Sequence, residues 1–199
     1  MVEDGRFIVG MDPGLTNACI TLFYESSGKG ISIKRSFIIP KSDVIYNLTD
    51  KASKGTKKKK YKDAKEPMQI LLNKFGKVID TILKEDISIF TAERYMVRGR
   101  FGQAQAECIS FMLGIIAEKC RKKKIPFKVI SAATWKNKVN KHQKDYLETI
   151  YKWCKDKYKM PPHHIDSFLQ GCYGANIPYN RVCKKSMFDL LAFVAGYKK

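Results

Sequence analysis

The sequence predicts an α/β fold: a mixed five-stranded sheet, a three-strand antiparallel meander plus two parallel strands, with helices on both faces. Three observations carry this. The first forty residues hold three apolar, β-rich runs separated by short turns, the pattern of a meander. After residue 66, helical periodicity alternates with short apolar runs, the order of strands joined by crossover helices. Hydrophobic residues make up 44% of the chain, enough for a real core. The 199 residues are read as one domain, 1–199, with a basic flexible loop at about 50–66.

The elements follow in order. Phe7–Met11 is the first strand and runs into Asp12, Pro13 and Gly14. Ala18–Tyr24, rich in Ile, Thr and aromatic residues, is the second; SSGKG is a turn; Ile31–Ile39 is the third, with partial alternation. Residues 40–65 break the pattern. The stretch KASKGTKKKKYKDAKE holds eight lysines and almost no large apolar residue, so it reads as a solvated loop. It either solubilises the surface or offers Lys57, Lys58, Lys59 and Lys60 to phosphates. Met68, Leu71, Leu72, Phe75, Val78, Ile79 and Ile82 then recur at steps of three and four. They predict a first helix, with Pro67 in its first turn.

Ile87–Thr91 is a short fourth strand leading to Glu93, and RGRFG is a loop. A second helix spans Gln103–Lys123; its basic end KCRKKK suits a helix C-terminus. IPFKVI is the fifth strand. A third helix is expected over roughly Gln143–Lys157, a fourth from Pro161–Pro162, and a last short one after Lys184. If strands four and five run parallel to the first, Asp12 and Glu93 share one sheet edge.

Charge narrows the partner. Lys and Arg number 38 against 19 Asp and Glu, a net +19, and such a field attracts polyanions. Nucleic acid, not a small molecule, is the expected substrate. No basic amphipathic helix, lipidation signal or apolar run of ~20 residues supports a membrane. No signal or transit peptide is expected. The six cysteines are scattered with no C-x-x-C pair, which suits buried free thiols in a reducing intracellular compartment.

Clustered carboxylates are costly unless paired, hydrogen-bonded or bound to a metal. Asp12 and Glu93 each close an apolar strand, and Asp166 lies just inside the helix of PPHHIDSFLQ. Each has a local explanation: a turn at Asp12, an ion pair of Glu93 with Arg94, a helix start at Asp166. Together they suit a divalent cation. Mg²⁺ prefers oxygen ligands, and two such ions can serve an in-line displacement at phosphorus. An acidic metal site in a basic protein fits a nuclease.

GMDPGLTNACI resembles the first-strand motif of RuvC-type Holliday junction resolvases, in the ribonuclease H-like superfamily. AERYMVRGRFGQAQAECISFMLGIIAEKC resembles their second motif, and FKVISAATWKNKVNKHQKDYLETIYKWC their fifth strand and basic segment. HHIDSFLQGCYGANIPYNRVCK is similar to the C-terminal motif of the branch found in poxviruses, other large DNA viruses and fungal mitochondria. The resemblance implies a ribonuclease H-like fold and a metal-dependent endonuclease. It places the family's acids on Asp12, Glu93 and Asp166. The fourth acidic position falls on His163, one turn before Asp166 on the same helical face.

His163 is therefore expected either as a ligand, which favours Mn²⁺ as a substitute for Mg²⁺, or as an acid or base. His164 points about 100° away and is set aside. Asp189 is a rival for Asp166, with the poorer match in neighbours. The resemblance also implies DNA contacts at Lys136 and Lys144, with Lys138 and Lys141 as near-equivalents. Tyr95 and Phe101 flank the loop after Glu93 and are candidate wedges for unstacking a branch point. Each also suits a place in the core.

The leading expectation is a homodimeric resolvase that uses Mg²⁺, with two ions per site, to make paired symmetric cuts in four-way DNA. Two-fold junction symmetry suits a two-fold dimer, and the second helix has apolar residues on more than one face. The alternatives are another ribonuclease H-like nuclease acting on RNA–DNA hybrid or other branched DNA, and a non-catalytic structure-specific DNA-binding protein.

Overall fold

A computed structural model describes residues 5–14, 17–27, 30–39, 65–95, 103–142 and 144–197. The strands are β1 (Gly5–Asp12), β2 (Ala18–Ser26), β3 (Gly30–Ile39), β4 (Ile87–Arg94) and β5 (Phe127–Ser131). They form one sheet in the order β3-β2-β1-β4-β5. β1–β2 and β2–β3 pair antiparallel, while β1–β4 and β4–β5 pair parallel. The expected mixed five-stranded sheet is what the chain forms.

The helices are α1 (Lys65–Ile82), α2 (Gln103–Lys122), α3 (Ala132–His142), α4 (Tyr146–Tyr158), α5 (Pro162–Gly174), the single turn α6 (Tyr179–Val182) and α7 (Lys185–Val194). Three differ from expectation. The segment after β5 is a helix of its own, α3, and the helix expected from Gln143 starts at Tyr146. Between them Asp145 takes a left-handed φ of 55°. Only Trp135 and Val139, one turn apart, are buried along α3, too few to stand out in a lysine-rich run. The short turn α6 was also not expected. Lys57, Lys58, Lys59, Lys60 and Phe101 lie outside the described residues.

Successive strand residues point to opposite faces, and each face has its own core. On one, Val9, Met11, Ile20, Leu22 and Ala92 pack with Phe75 and Ile79 of α1 and Met112 and Ile116 of α2. On the other, Ile8, Phe23, Ile33 and Ile89 pack with residues of α3 to α7. Helices therefore cover both faces. Among them α5 lies closest to the sheet, across β1, β2 and β4. Two glycines permit this: a Cβ on Gly171 would stand 3.0 Å from the Gly10 nitrogen, and one on Gly10 would strike the Ser167 carbonyl.

Candidate active site

The close fit of α5 brings its acid to the strand ends. Met11 faces the α1/α2 core, so Asp12, the next residue, faces α5. Ala92 also faces that core, so Glu93 faces α5 as well. Met11 and Ala92 are partners across the parallel pair, which puts Asp12 and Glu93 side by side just beyond them. Asp166 sits in the second turn of α5, the helix packed across β1, β2 and β4. All three carboxylates share one locality, since the charges of Asp12 and Asp166 both act on Glu93.

Each acid has its own donor. His163 Nδ1 lies 2.7 Å from Asp12 Oδ2. The indole Nε1 of Trp135, fully buried on α3, donates to Glu93 Oε2 at 3.0 Å. Lys136 Nζ donates to Asp166 Oδ2 at 3.0 Å, and the Tyr151 hydroxyl of α4 donates to Asp166 Oδ1. Burial first, then the neighbouring acids, push Glu93 above the usual carboxylate range. Asp166 is also raised, chiefly by burial, against the pull of Lys136 and Tyr151. His163 is raised by its hydrogen bond to Asp12. Burial, with the Asp166 charge adding to it, keeps the Tyr151 phenol protonated.

The remaining expected residues fall as follows. His164 is buried at the back of the site, its Nδ1 2.8 Å from Ser36 Oγ, and burial lowers its pKa to about 4. Asp189 is on α7, bound by Lys157 at 2.7 Å and by the Tyr158 hydroxyl, and is not with the acids. Lys138 is exposed with its Nζ 5.2 Å over the Tyr173 ring, and Lys141 and Lys144 are exposed. Tyr95 directly follows β4 and is half-buried. Trp135, Tyr151 and Gln170 were not expected at the site. Only Gln170 gave a local signal, as a lone amide in the apolar run SFLQGC.

Among the described residues, no three His, Cys, Asp or Glu side chains stand close enough together to hold a metal ion as placed. Lys136 lies against Asp166 and the His163 imidazole against Asp12. The donor set nevertheless fits a hard divalent cation: carboxylate oxygens from three elements, two of them, Glu93 and Asp166, raised by burial and by the charge of Asp12. Asp12, Glu93 and Asp166 would hold it, with the His163 imidazole beside Asp12.

The fold recurs in solved structures. One is Thermus thermophilus RuvC in complex with a Holliday junction substrate, at 11% identity and a TM-score of 0.55; the match covers 85% of this chain and 92% of that one. A second is a Thermus thermophilus RuvC structure, at 12% identity and 0.53, covering 85% and 93%. A third is the yeast mitochondrial Holliday junction resolvase Ydc2, at 14% identity and 0.52, covering 89% and 85%. The chain thus has the RuvC/ribonuclease H-like fold. No family model matches it, and neither does any curated protein sequence.

Proposed function

We propose that this protein is a metal-dependent endonuclease that resolves four-way DNA junctions. The observation that carries the reading is the convergence of Asp12, Glu93 and Asp166 from β1, β4 and α5 in a protein of net charge +19. The three acids would hold Mg²⁺, or Mn²⁺ in its place, in a two-ion site, and bound ions would supply an activated water and stabilise the leaving oxygen at phosphorus. His163, a third exposed, keeps its imidazole against Asp12 and either joins the ligand set or exchanges a proton with solvent. Lys136, bonded to Asp166 and about a third exposed, contacts the phosphate next to the cut. Lys138, Lys141, Lys144 and the lysines at 57–60 hold the DNA backbone, and Tyr95 and Phe101 open the crossover.

The chain acts as a homodimer through α2, where Phe111 is 45% exposed beside the buried Cys108 and Met112. We further propose one domain over residues 1–199, membership of the viral and fungal mitochondrial branch on its C-terminal motif, and action in a reducing compartment. The six free thiols, five of them buried, are in keeping with the last. Among the described residues no helix is long and apolar enough to cross a membrane.

The test is cleavage of a synthetic four-way junction, a linear duplex and an RNA–DNA hybrid, with mapping of paired nicks. Symmetric nicks in the junction alone are expected. Asp12→Asn, Glu93→Gln and Asp166→Asn should each abolish cutting and leave junction binding intact. A second reading rests on the pairing of each acid with its own donor. On that reading the acids are structural and the protein binds branched DNA without cutting it. Junction binding with no nicks in Mg²⁺ or Mn²⁺ would establish it.

A further inference from the structure

Gln170 lies one turn after Asp166 on α5 and is fully buried. An amide removed from water is unfavourable unless both its ends are hydrogen-bonded. In the orientation that satisfies both, Nε2 donates to the Met11 carbonyl and Oε1 accepts from the Glu93 N–H at 2.6 Å. Met11 immediately precedes Asp12. One side chain therefore spans from the strand carrying the first acid to the backbone of the second.

This is where the sheet most needs a tie. The β1–β4 register ends at Met11 and Ala92, and both acids lie one residue beyond it. Neighbouring strands are rotated by roughly 20–25°, so their ends separate beyond the last pair. Trp135 fixes the carboxylate of Glu93 but touches neither strand's backbone polar groups through that bond. Gln170 holds the backbone on both sides, and its helix also carries Asp166. A methionine would match its length on a helix face packed on a sheet and leave no polar group to satisfy. The amide is there for its two hydrogen bonds.

We propose that Gln170 is a positioning residue that sets the separation of Asp12 and Glu93 and ties both to Asp166. It thereby preforms the geometry in which the three acids take a divalent cation. The inference rests on reading those acids as a metal site, and it concerns a residue that lies within the C-terminal motif but was given no role there.

The experiment uses the full chain with Gln170→Met, Gln170→Glu and, as a control, Leu191→Ala in the α7 core. Mn²⁺ affinity is measured by calorimetry, melting temperature by circular dichroism, and junction affinity and cleavage in parallel. Gln170→Met removes both bonds. Gln170→Glu keeps the acceptor for the Glu93 N–H but sets a carboxylate oxygen against the Met11 carbonyl. Each should weaken Mn²⁺ binding and slow cleavage at saturating DNA by about 10–100-fold, the usual effect of losing a group behind a metal ligand. Junction affinity should not change. Leu191→Ala should lower the melting temperature and leave Mn²⁺ affinity intact, as a purely structural role cannot explain.

Wild-type Mn²⁺ affinity in either folded Gln170 variant overturns the proposal. So does an equal loss in Leu191→Ala. If Gln170→Met does not fold, Gln170→Glu decides; if neither folds, Gln170 is a structural residue and the proposal falls. Should the wild type bind Mn²⁺ but cut no junction, the resolvase reading fails while the variant affinities still judge Gln170. Should the wild type bind no Mn²⁺, both fail.

Discussion

The two faces of the sheet use the same strands and both bury apolar side chains, but one of them also encloses a group of hydrogen-bonded polar side chains. Toward α1 and α2, Val9, Met11, Ala18, Ile20 and Leu22 meet an entirely apolar core. Toward α5, the same strands present Cys19, Thr21 and Ser36. Thr21 Oγ1 lies 2.7 Å from Ser36 Oγ and 2.6 Å from Ser167 Oγ, and Ser167 donates to the His164 carbonyl at 3.0 Å. One face is held by area and shape, the other partly by a chain of hydrogen bonds. The lesson concerns the acids. Alternation sends Asp12 and Glu93 to the face that already encloses Thr21, Ser36 and Ser167, and that α5 covers with Asp166 and Gln170. A one-residue slip of β1 would bury Asp12 among Phe75 and Ile79.

The largest effect that separates the faces is Phe75→Ala. It empties a fully buried aromatic site under the apolar face, at a cost of about 3–5 kcal/mol. Urea denaturation should show that loss while the folded fraction keeps its Mn²⁺ affinity. An equal loss of metal affinity would mean that the two faces do not act separately.

Acid should act on the polar face next. Burial, then the charge of His163, lowers His164 to about 4 from the usual 6.5. The unfolded chain therefore takes a proton that the folded chain refuses. Stability is complete above about pH 6.5 and falls as pH drops toward 4, by about 3 kcal/mol in all. His164→Gln should lack that fall, so its stability curve and that of the wild type should converge on acidification. Parallel curves from pH 7 to 4 would refute the assignment.

Glu93→Gln should act in the opposite sense. The folded-state pKa of Glu93 is raised by burial and by Asp12 and Asp166. Its ionised form thus weakens the fold above that pKa, and the penalty disappears below the unfolded value near 4.5. The variant should melt higher than wild type at pH 8 and level with it at pH 4. A lower melting point at pH 8 would show that the bond from Trp135 outweighs the repulsion.

The strands, the order of the sheet and the placement of Asp12 and Glu93 were legible because alternation and strand ends are local patterns. The pairing of His163 with Asp12 was half legible. Its spacing from Asp166 set the helical face, but nothing in the sequence named Asp12 as its partner. Lys136 was expected as a DNA contact, and its bond to Asp166 was not foreseen. Trp135 and Tyr151 were not legible, and Gln170 showed only as a lone amide in an apolar run. Each reaches an acid from a distant part of the chain, and an indole, a phenol or an amide in a helix looks the same whether it packs or donates. The helix α3 was missed for a related reason: its buried face is two residues wide.

The smallest effects give the finest comparison, at adjacent positions of one strand. Ile20 and Thr21 are both fully buried in β2 and point to opposite faces. Ile20→Val removes one methylene and should cost about 0.5–1.5 kcal/mol. Thr21→Val replaces a hydroxyl by a methyl of similar shape and should cost about 1 kcal/mol. Its two partners are not stranded: Ser36 retains His164, and Ser167 retains the His164 carbonyl. Stability alone hardly tells the two variants apart, but pH does. Losing Thr21 Oγ1 leaves Ser36 held by His164 alone and loosens the packing of the polar face around that ring. The burial that holds His164 near 4 is then weaker, so the acid fall in stability should shrink and begin its plateau at higher pH. Ile20→Val, on the other face, should leave that fall in place. Superimposable pH curves for the two variants, once their constant offsets are removed, would show that the polar face behaves as ordinary core.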